Sequence, residues 1–450
     1  MGITRRDLLK GVAVGTVAIG CSSSSSGDPP GADANDPPPR IDPPDAVTES
    51  MQFPLGVSAG DIAGNHALVW TRYAGTAALT AYVWRLDGDT YVEELGPFAA
   101  TPNDGFVHVA IEGLRAGAQY RYTFFEGDRT ARSKIGRFRT PADGANVVTF
   151  GAISCTDSGR ATDPIARAAV HPDLDAFLFL GDNAYCDGAK TLADYRDKYD
   201  EHFGRPAHVD LRASTGMYIT WDDHEVDNDW NPETIAAPQI AAAFQTFFDH
   251  APYLRNAQSP NRIWRSARWG TTVEVFVLDC RSERKPSTRS GANAQYISPE
   301  QLAWLEQGLA TSPCRFKLIM NSVPITNMPN VWDLYKVDRW EAYAAQRTRI
   351  LQYIDDQQIK GVLWLSGDFH LAFISKVATS GAGMTQREVL CGPGGQSPNA
   401  LLPSLTAPQF GYKTGTNNYT TLRFDPAAGE VRVTYVDGSG SSFHSEAFVL

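Results

Sequence analysis

The chain has 450 residues, of which 42% are hydrophobic and 20% charged, and a formal net charge of -11 at pH 7. This balance is that of a globular protein with a large core. The acidic excess excludes a general binder of nucleic acid or anionic membrane, because such proteins need a basic footprint to displace counterions.

Residues 1–21 read as a targeting segment: Thr4-Arg5-Arg6-Asp7-Leu8-Leu9-Lys10 has the twin-arginine pattern, and the apolar run that follows is too short to span a bilayer. A small residue before Cys21 resembles a lipoprotein cleavage box, so Cys21 is a candidate for lipidation. Export by the twin-arginine route to the periplasm or cell surface is expected, with membrane contact only through a lipid anchor. Residues 22–50, with five consecutive serines and then an excess of Pro and Asp, have too little apolar surface to fold and read as a linker. Beyond them no stretch is long enough for a membrane span, and nothing repeats at a fixed period. One of the 6 cysteines belongs to the export signal. The remaining five, an odd number in an oxidising compartment, leave at least one unpaired.

From residue 51 to 141, short alternating runs separated by turn residues predict an antiparallel β-sandwich. Leu114, Gly117 and Tyr120 resemble the tyrosine corner of fibronectin type III domains. This region is expected to position or pack, and His66 and His108 within it to be surface or hydrogen-bonded residues, not ligands.

After Pro141 the pattern changes to continuous apolar strands alternating with helical stretches, which implies parallel pairing through crossovers. Residues 146–450 are therefore expected to form an α/β domain. The run from Asp175 to Leu180 enters Gly181, Asp182 and Tyr185. Gly181 allows a sharp turn at the carboxyl end of the strand, where open α/β sheets place ligands. An anionic carboxylate there is costly to bury without a positive partner. Four further apolar runs end in metal-binding side chains: one at Cys155, one at Asp222-Asp223-His224-Glu225, one at Asn321, and one at Asp368 and His370.

Gly181-Asp-Asn-Ala-Tyr185, Trp221-Asp-Asp-His-Glu225, Gln301-Leu-Ala-Trp-Leu305 and Gly367-Asp-Phe-His370, with Ser154-Cys155 before them and Phe53-Pro-Leu-Gly-Val-Ser-Ala-Gly-Asp61 at the start, resemble the alkaline phosphatase D (PhoD) family of calcineurin-like metallophosphoesterases. The resemblance implies a layered sandwich of two central sheets flanked by helices, preceded by the fibronectin III-like β-sandwich. It also implies ferric iron with calcium. The donor types agree. Cys155, Asp182, Tyr185 and His370 include three anionic ligands and suit a trivalent ion, whereas Asp223, Asn321 and Asp368 offer only oxygen and suit calcium, or magnesium or manganese. Asp182 can bridge the two ions. Either Asp222 or Asp223 can be the ligand on residues alone, and the superfamily pattern favours Asp223.

His224 is expected to donate a proton to the leaving oxygen or to stabilise the transition state, with Glu225 orienting it. Arg281 is a candidate for holding the substrate, or for an ion pair that holds its own loop. The expected chemistry is attack of a metal-activated hydroxide on a phosphate ester by a monomeric enzyme. A phospholipase D-like phosphodiesterase and a non-catalytic, metal-containing surface lipoprotein are the alternatives. Cys280 and Cys314 can form a disulfide or stay thiols, and Cys186 can compete with Tyr185 as a ligand.

Overall fold

The computed structural model describes residues 41–450 other than Ser158, with backbone only at Leu334 and Tyr335. The twin-arginine segment, Cys21 and most of the linker lie outside the described residues. Among the described residues no helix is long and apolar enough to cross a membrane.

Two large sheets lie at the centre. In the first, Val148–Ile153, Ala176–Leu180 and Gly216–Thr220 run parallel; in the second, Val273–Val277, Phe316–Met320, Val362–Ser366 and Arg387–Leu390 do. Side chains alternate between faces along a strand, and the continuous apolar runs serve both. Phe150, Leu178 and Leu180 of the first sheet pack against Val275, Leu318 and Leu365 of the second. The other face of the first sheet, with Phe177, Phe179 and Ile219, meets Tyr195, Phe203, Leu211 and Phe247 from the helices Leu192–Phe203, Pro206–Ser214 and Ala237–His250. The outer face of the second sheet, with Phe276, Ile319 and Trp364, meets Leu302, Leu305, Ile350 and Leu351 from the helices Pro299–Thr311 and Ala344–Asp356. The order is helix, sheet, sheet, helix. Each of these buried large apolar side chains contributes about 1.5–3 kcal/mol.

The N-terminal region is not built as a separate body. Val57–Gly60, His66–Arg72 and Phe106–Glu112 extend one edge of the first central sheet, through parallel pairing of Ala59 with Gly216, and Asn418–Asp425, Glu430–Asp437 and Ser442–Val449 extend the other, for nine strands in all. The strands Leu79–Asp87, Thr90–Ala100, Gln119–Glu126, Ala131–Arg132 and Gly136–Arg139 form a third sheet. Val57, Val69 and Val107 close a core with Val83, Tyr122 and Phe124. The Tyr120 hydroxyl accepts from the backbone N–H of Arg115 at 2.7 Å. His108 bonds the carbonyl of Ala251 at 3.1 Å. Cys155, Cys186, Cys280, Cys314 and Cys391 are all buried free thiols, so Cys280 and Cys314 are not joined.

Candidate metal centre

The strand ends are turned sharply. Cys155, Asp182, Asp368 and His370 have φ of 55°, 54°, 74° and 53°, a left-handed conformation that side chains with a Cβ adopt only where the surroundings enforce it. Gly181 has φ 94°, and a Cβ there would lie 2.5 Å from that of Asp222. The surroundings are backbone hydrogen bonds between neighbouring tips: Thr156 N–H to Asp182 C=O at 2.9 Å, Gly367 N–H to Ser322 C=O at 2.9 Å, and Gly394 N–H to Ser154 C=O at 2.9 Å. The last of these ties a tip of one sheet to a loop of the other. Glu225, fully buried, accepts the N–H groups of Asp182, Asn183 and Asp222 at 3.1, 2.5 and 2.8 Å. It fixes the turns that aim the ligands and does not orient His224, contrary to the sequence expectation.

Three sets of donor atoms converge, each within 4.8 Å of one another: Cys155, Asp182 and His370; Asp182, Asp223 and His224; and Asp182, Asp222, Asp223 and Asp368. Asp182 belongs to all three, and its buried Oδ1 has no hydrogen-bond partner. Burial, with the charges of Asp223 and Asp222, pushes the Asp182 carboxyl well up, and burial with Asp222 and Asp223 does the same to Asp368. Burial and then Asp182 raise the Cys155 thiol. Burial, Asp182 and Cys155 raise the phenol of Tyr185, whose hydroxyl accepts from Gln396 Nε2 at 3.1 Å. A cluster of thiol, phenol and carboxylates whose anionic forms repel one another fits bound cations, which reverse each of these shifts.

Asp222 and Asp223 differ in their partners, although Arg281 Nη2 also lies 3.4 Å from Asp223 Oδ1. Asp222 accepts from Arg281 Nε at 2.5 Å, Arg281 Nη2 at 2.9 Å and Ser322 Oγ at 2.9 Å, so both of its oxygens are taken. Asp223 accepts the N–H of Asp229 at 2.7 Å and lines the open cleft. Arg281 is 1% exposed and also lies 3.9 Å from Asp368, so it serves as counter-charge beneath the acids and does not reach substrate. Its loop is pinned by Gln301 of the Gln-Leu-Ala-Trp-Leu motif, whose amide bonds both backbone groups of Asp279 at 2.9 and 3.1 Å. The Asn321 oxygen accepts from Trp340 Nε1 at 3.0 Å and the Cys280 thiol at 2.9 Å, and its Nδ2 donates to the Val323 carbonyl at 2.5 Å. With its amide fully engaged, Asn321 braces its turn and is not free as an oxygen ligand.

His224 lies against the ring of Tyr185, with centroids 4.3 Å apart, and its Nδ1 bonds Asp187 Oδ2 at 2.8 Å. Burial opposes its charge, but Asp182, Asp187 and Asp223 together hold its pKa up to about 11. Asp187 is itself fixed by the N–H of Asn228 at 2.7 Å. The cleft, of about 550 Å³, is lined by Asp182, Asp223, His224, Asp368 and His370 and also by residues that the sequence did not single out, among them Asp229, Arg289, Asp338 and Phe369. A hydrogen bond with Asp338 pushes Asp229 up to about 7. The Arg289 Nε donates to the Tyr343 hydroxyl at 3.2 Å, and its guanidinium makes no ion pair among the described residues. The Arg281 reading took the nearer sequence motif; Arg289, on a loop without pattern, carries the cleft's free positive charge.

Two facing sheets flanked by helices, with a cluster of donor side chains at their strand ends, define an α/β sandwich protein with a candidate metal-binding cleft. The chain belongs to the PhoD-like phosphatase family, whose model matches residues 150–421, and the model of the PhoD-like phosphatase N-terminal domain matches residues 40–142. Alkaline phosphatase D of Bacillus subtilis (strain 168) is 27% identical over 387 residues, which cover 73% of this chain and 66% of that protein, just under two thirds of its length. A solved structure described as "Structure of PhoD" superposes with a TM-score of 0.75 at 22% identity, over 89% of this chain and 90% of that one, which shows a shared fold.

Proposed function

We propose that the chain is an alkaline phosphatase D-type phosphoric ester hydrolase of the calcineurin-like group, holding ferric iron through Cys155, Asp182, Tyr185 and His370 and calcium through Asp182, Asp223 and Asp368, with magnesium or manganese as alternatives for the second ion. The observation that carries this reading is Asp182, a buried carboxylate shared by every donor group, with an oxygen left unpartnered. When bound, the ions supply an activated water and neutralise phosphate charge. Around them the chain's own groups act on the ester. His224, set by Asp187, holds a proton within the cleft and gives it to the leaving oxygen. Arg289 meets a phosphate oxygen that the ions do not hold.

The Asp187 and His224 pair favours catalysis over a purely structural metal protein, because a structural site has no use for a positioned acid. The same groups serve monoesters and diesters, and turnover of both on one preparation separates a phosphomonoesterase from a phospholipase D-like phosphodiesterase. Residues 1–21 support export by the twin-arginine route to the periplasm or surface, with Cys21 as a lipid anchor, and we read the enzyme as a monomer. Metal analysis of natively exported protein, together with its visible spectrum, tests the centre. Tyr185→Phe is expected to remove a phenolate-to-iron absorption band, and a colourless, active wild type would refute the iron assignment.

A further inference from the structure

At the other end of the parallel strands, three arginines crowd one face of a short ladder. Strands Gln119–Glu126 and Gly136–Arg139 pair with Arg121 directly opposite Arg137 and Gln119 opposite Arg139. Residues two apart on a strand share a face, and like charges placed directly opposite destabilise a ladder. The surroundings neutralise them only in part. Arg139 pairs with Asp175 at 2.9 Å. Arg121 donates to the Tyr91 hydroxyl at 2.9 Å and lies 3.9 Å from the exposed Asp45. The Arg137 Nε donates to the Ser214 carbonyl at 2.5 Å, and no carboxylate pairs with it among the described residues. Burial and then Arg121 lower the pKa of Arg137, the mark of a positive charge held among others.

These three residues line a cavity of about 120 Å³ together with Gln119, His171 and Thr215, and one exposed carboxylate, Asp89, lines it too, leaving the arginines in excess. At about 30 Å³ of liquid volume per molecule, that space equals a few waters, enough for one tetrahedral oxyanion. His171 Nδ1 accepts the N–H of Asp173 at 3.2 Å, so its Nε2 is left as a donor. The cavity thus joins guanidinium forks, which match phosphate geometry, with neutral donors. It opens where Asp175, Ser214 and Thr215 precede strands whose opposite ends carry Asp182 and Asp222.

We propose that this junction cavity binds a tetrahedral oxyanion of the phosphate class through Arg121, Arg137 and Arg139, as a site separate from the catalytic cleft and independent of the activity proposed above. Equilibrium dialysis of labelled inorganic phosphate against the full metal-loaded chain provides the test. The double variant R121Q/R137Q is expected to bind one equivalent less than wild type, with kcat and KM for an aryl phosphate unchanged. Equal binding by both proteins overturns the proposal.

A second measurement needs no variant. Phosphate should protect Arg121 and Arg137 of the wild type from phenylglyoxal, read by peptide mass spectrometry, and modification indifferent to phosphate also overturns it. The source of the group is separated by two probes. Displacement of labelled phosphate by methylphosphonate, without binding to phosphatidylglycerol vesicles, assigns a soluble phosphate compound. Vesicle binding that is lost in the double variant assigns a lipid headgroup.

Discussion

Two buried clusters of ionisable groups, one basic and one acidic, are handled differently. The basic one gathers Arg212, His208 and His250. The Arg212 guanidinium lies between the rings of Trp70 and Phe203, at 4.3 and 4.6 Å, and donates to the His250 carbonyl at 2.8 Å. Burial, with Arg205, His202 and Arg212, pushes the His208 pKa well below its ordinary value. Burial, Arg212 and Arg72 push that of His250 down to about 3 against the pull of Asp249. Imidazoles can shed their charge and a guanidinium can rest on aromatic faces, so this cluster needs no counter-ion, although Arg212 Nε and Nη1 and His208 Nδ1 have no hydrogen-bond partner. The acidic cluster, without bound cations, can shed charge only by taking up protons, the direction in which Asp182 and Asp368 are pushed. Asp222, Asp223 and Asp368 share the buried Arg281, and an Asp182 oxygen has no hydrogen-bond partner. Both clusters hold unpartnered buried atoms, and the contrast teaches that convergence of donor oxygens on one shared carboxylate, more than unsatisfied burial, marks the functional end of the molecule.

Removing the shared carboxylate breaks the contrast most severely. Asp182→Asn is expected to lose both metals and to reduce kcat by more than the loss from any other single change. In metal-free protein the same variant should unfold at higher temperature than wild type, because one repelling charge is gone. Differential scanning calorimetry with and without chelator reads both signs, and a metal-free variant less stable than wild type would contradict the account.

Next comes the counter-charge. Arg281→Met leaves Asp222, Asp223 and Asp368 without their buried cation and should cost about 3–5 kcal/mol in denaturant unfolding. An unchanged midpoint would show that Arg281 is dispensable to the acids and restore it as a substrate residue.

His224→Ala should keep bound metal and the absorption band while kcat falls by roughly 10²–10⁴-fold. Asp187→Asn should do less, moving the alkaline limb of the pH profile to lower pH, because His224 then gives up its proton more readily. Equal metal loss in either variant would move His224 from acid to ligand.

The smallest effect belongs to the basic cluster. Below an ordinary histidine pKa of about 6.5, the unfolded chain takes up a proton that folded His208 refuses. Stability should therefore fall by about 1.4 kcal/mol per pH unit per such group as pH drops, with no contribution above that range. His208→Gln should flatten part of this slope in urea titrations, and an identical slope would mean that the folded protein accepts that proton.

Much of this was legible in the residues. A strand buried on both faces must be continuously apolar, so five such runs ending in Cys155, Asp182, Asp223, Asn321 and Asp368 announced both the parallel sheets and the end at which chemistry sits. What escaped lies on loops, where no periodicity constrains identity: Asp187, Arg289 and Asp338 acquire their places only when the chain closes. Asn321 and Glu225 show a second limit. Residue type and position suited a ligand and an orienting acid, but hydrogen-bond capacity is settled by neighbours distant in sequence, here Trp340 and Cys280 for one and three backbone N–H groups for the other. The extended first sheet was hidden for a related reason, since an antiparallel run reads alike whether it closes its own sandwich or borrows an edge.

That borrowed edge has a practical side. Gly216–Thr220 is buried along its whole length and is flanked by Ala176–Leu180 on one side and by Val57–Gly60 on the other. A fragment cut at the apparent boundary near residue 146 would leave a flat, apolar strand with unsatisfied peptide groups, the kind of surface that recruits other chains into aggregates. The opening ninety or so residues therefore act as the hem of the catalytic fabric, and anyone seeking a minimal enzyme should expect to keep them.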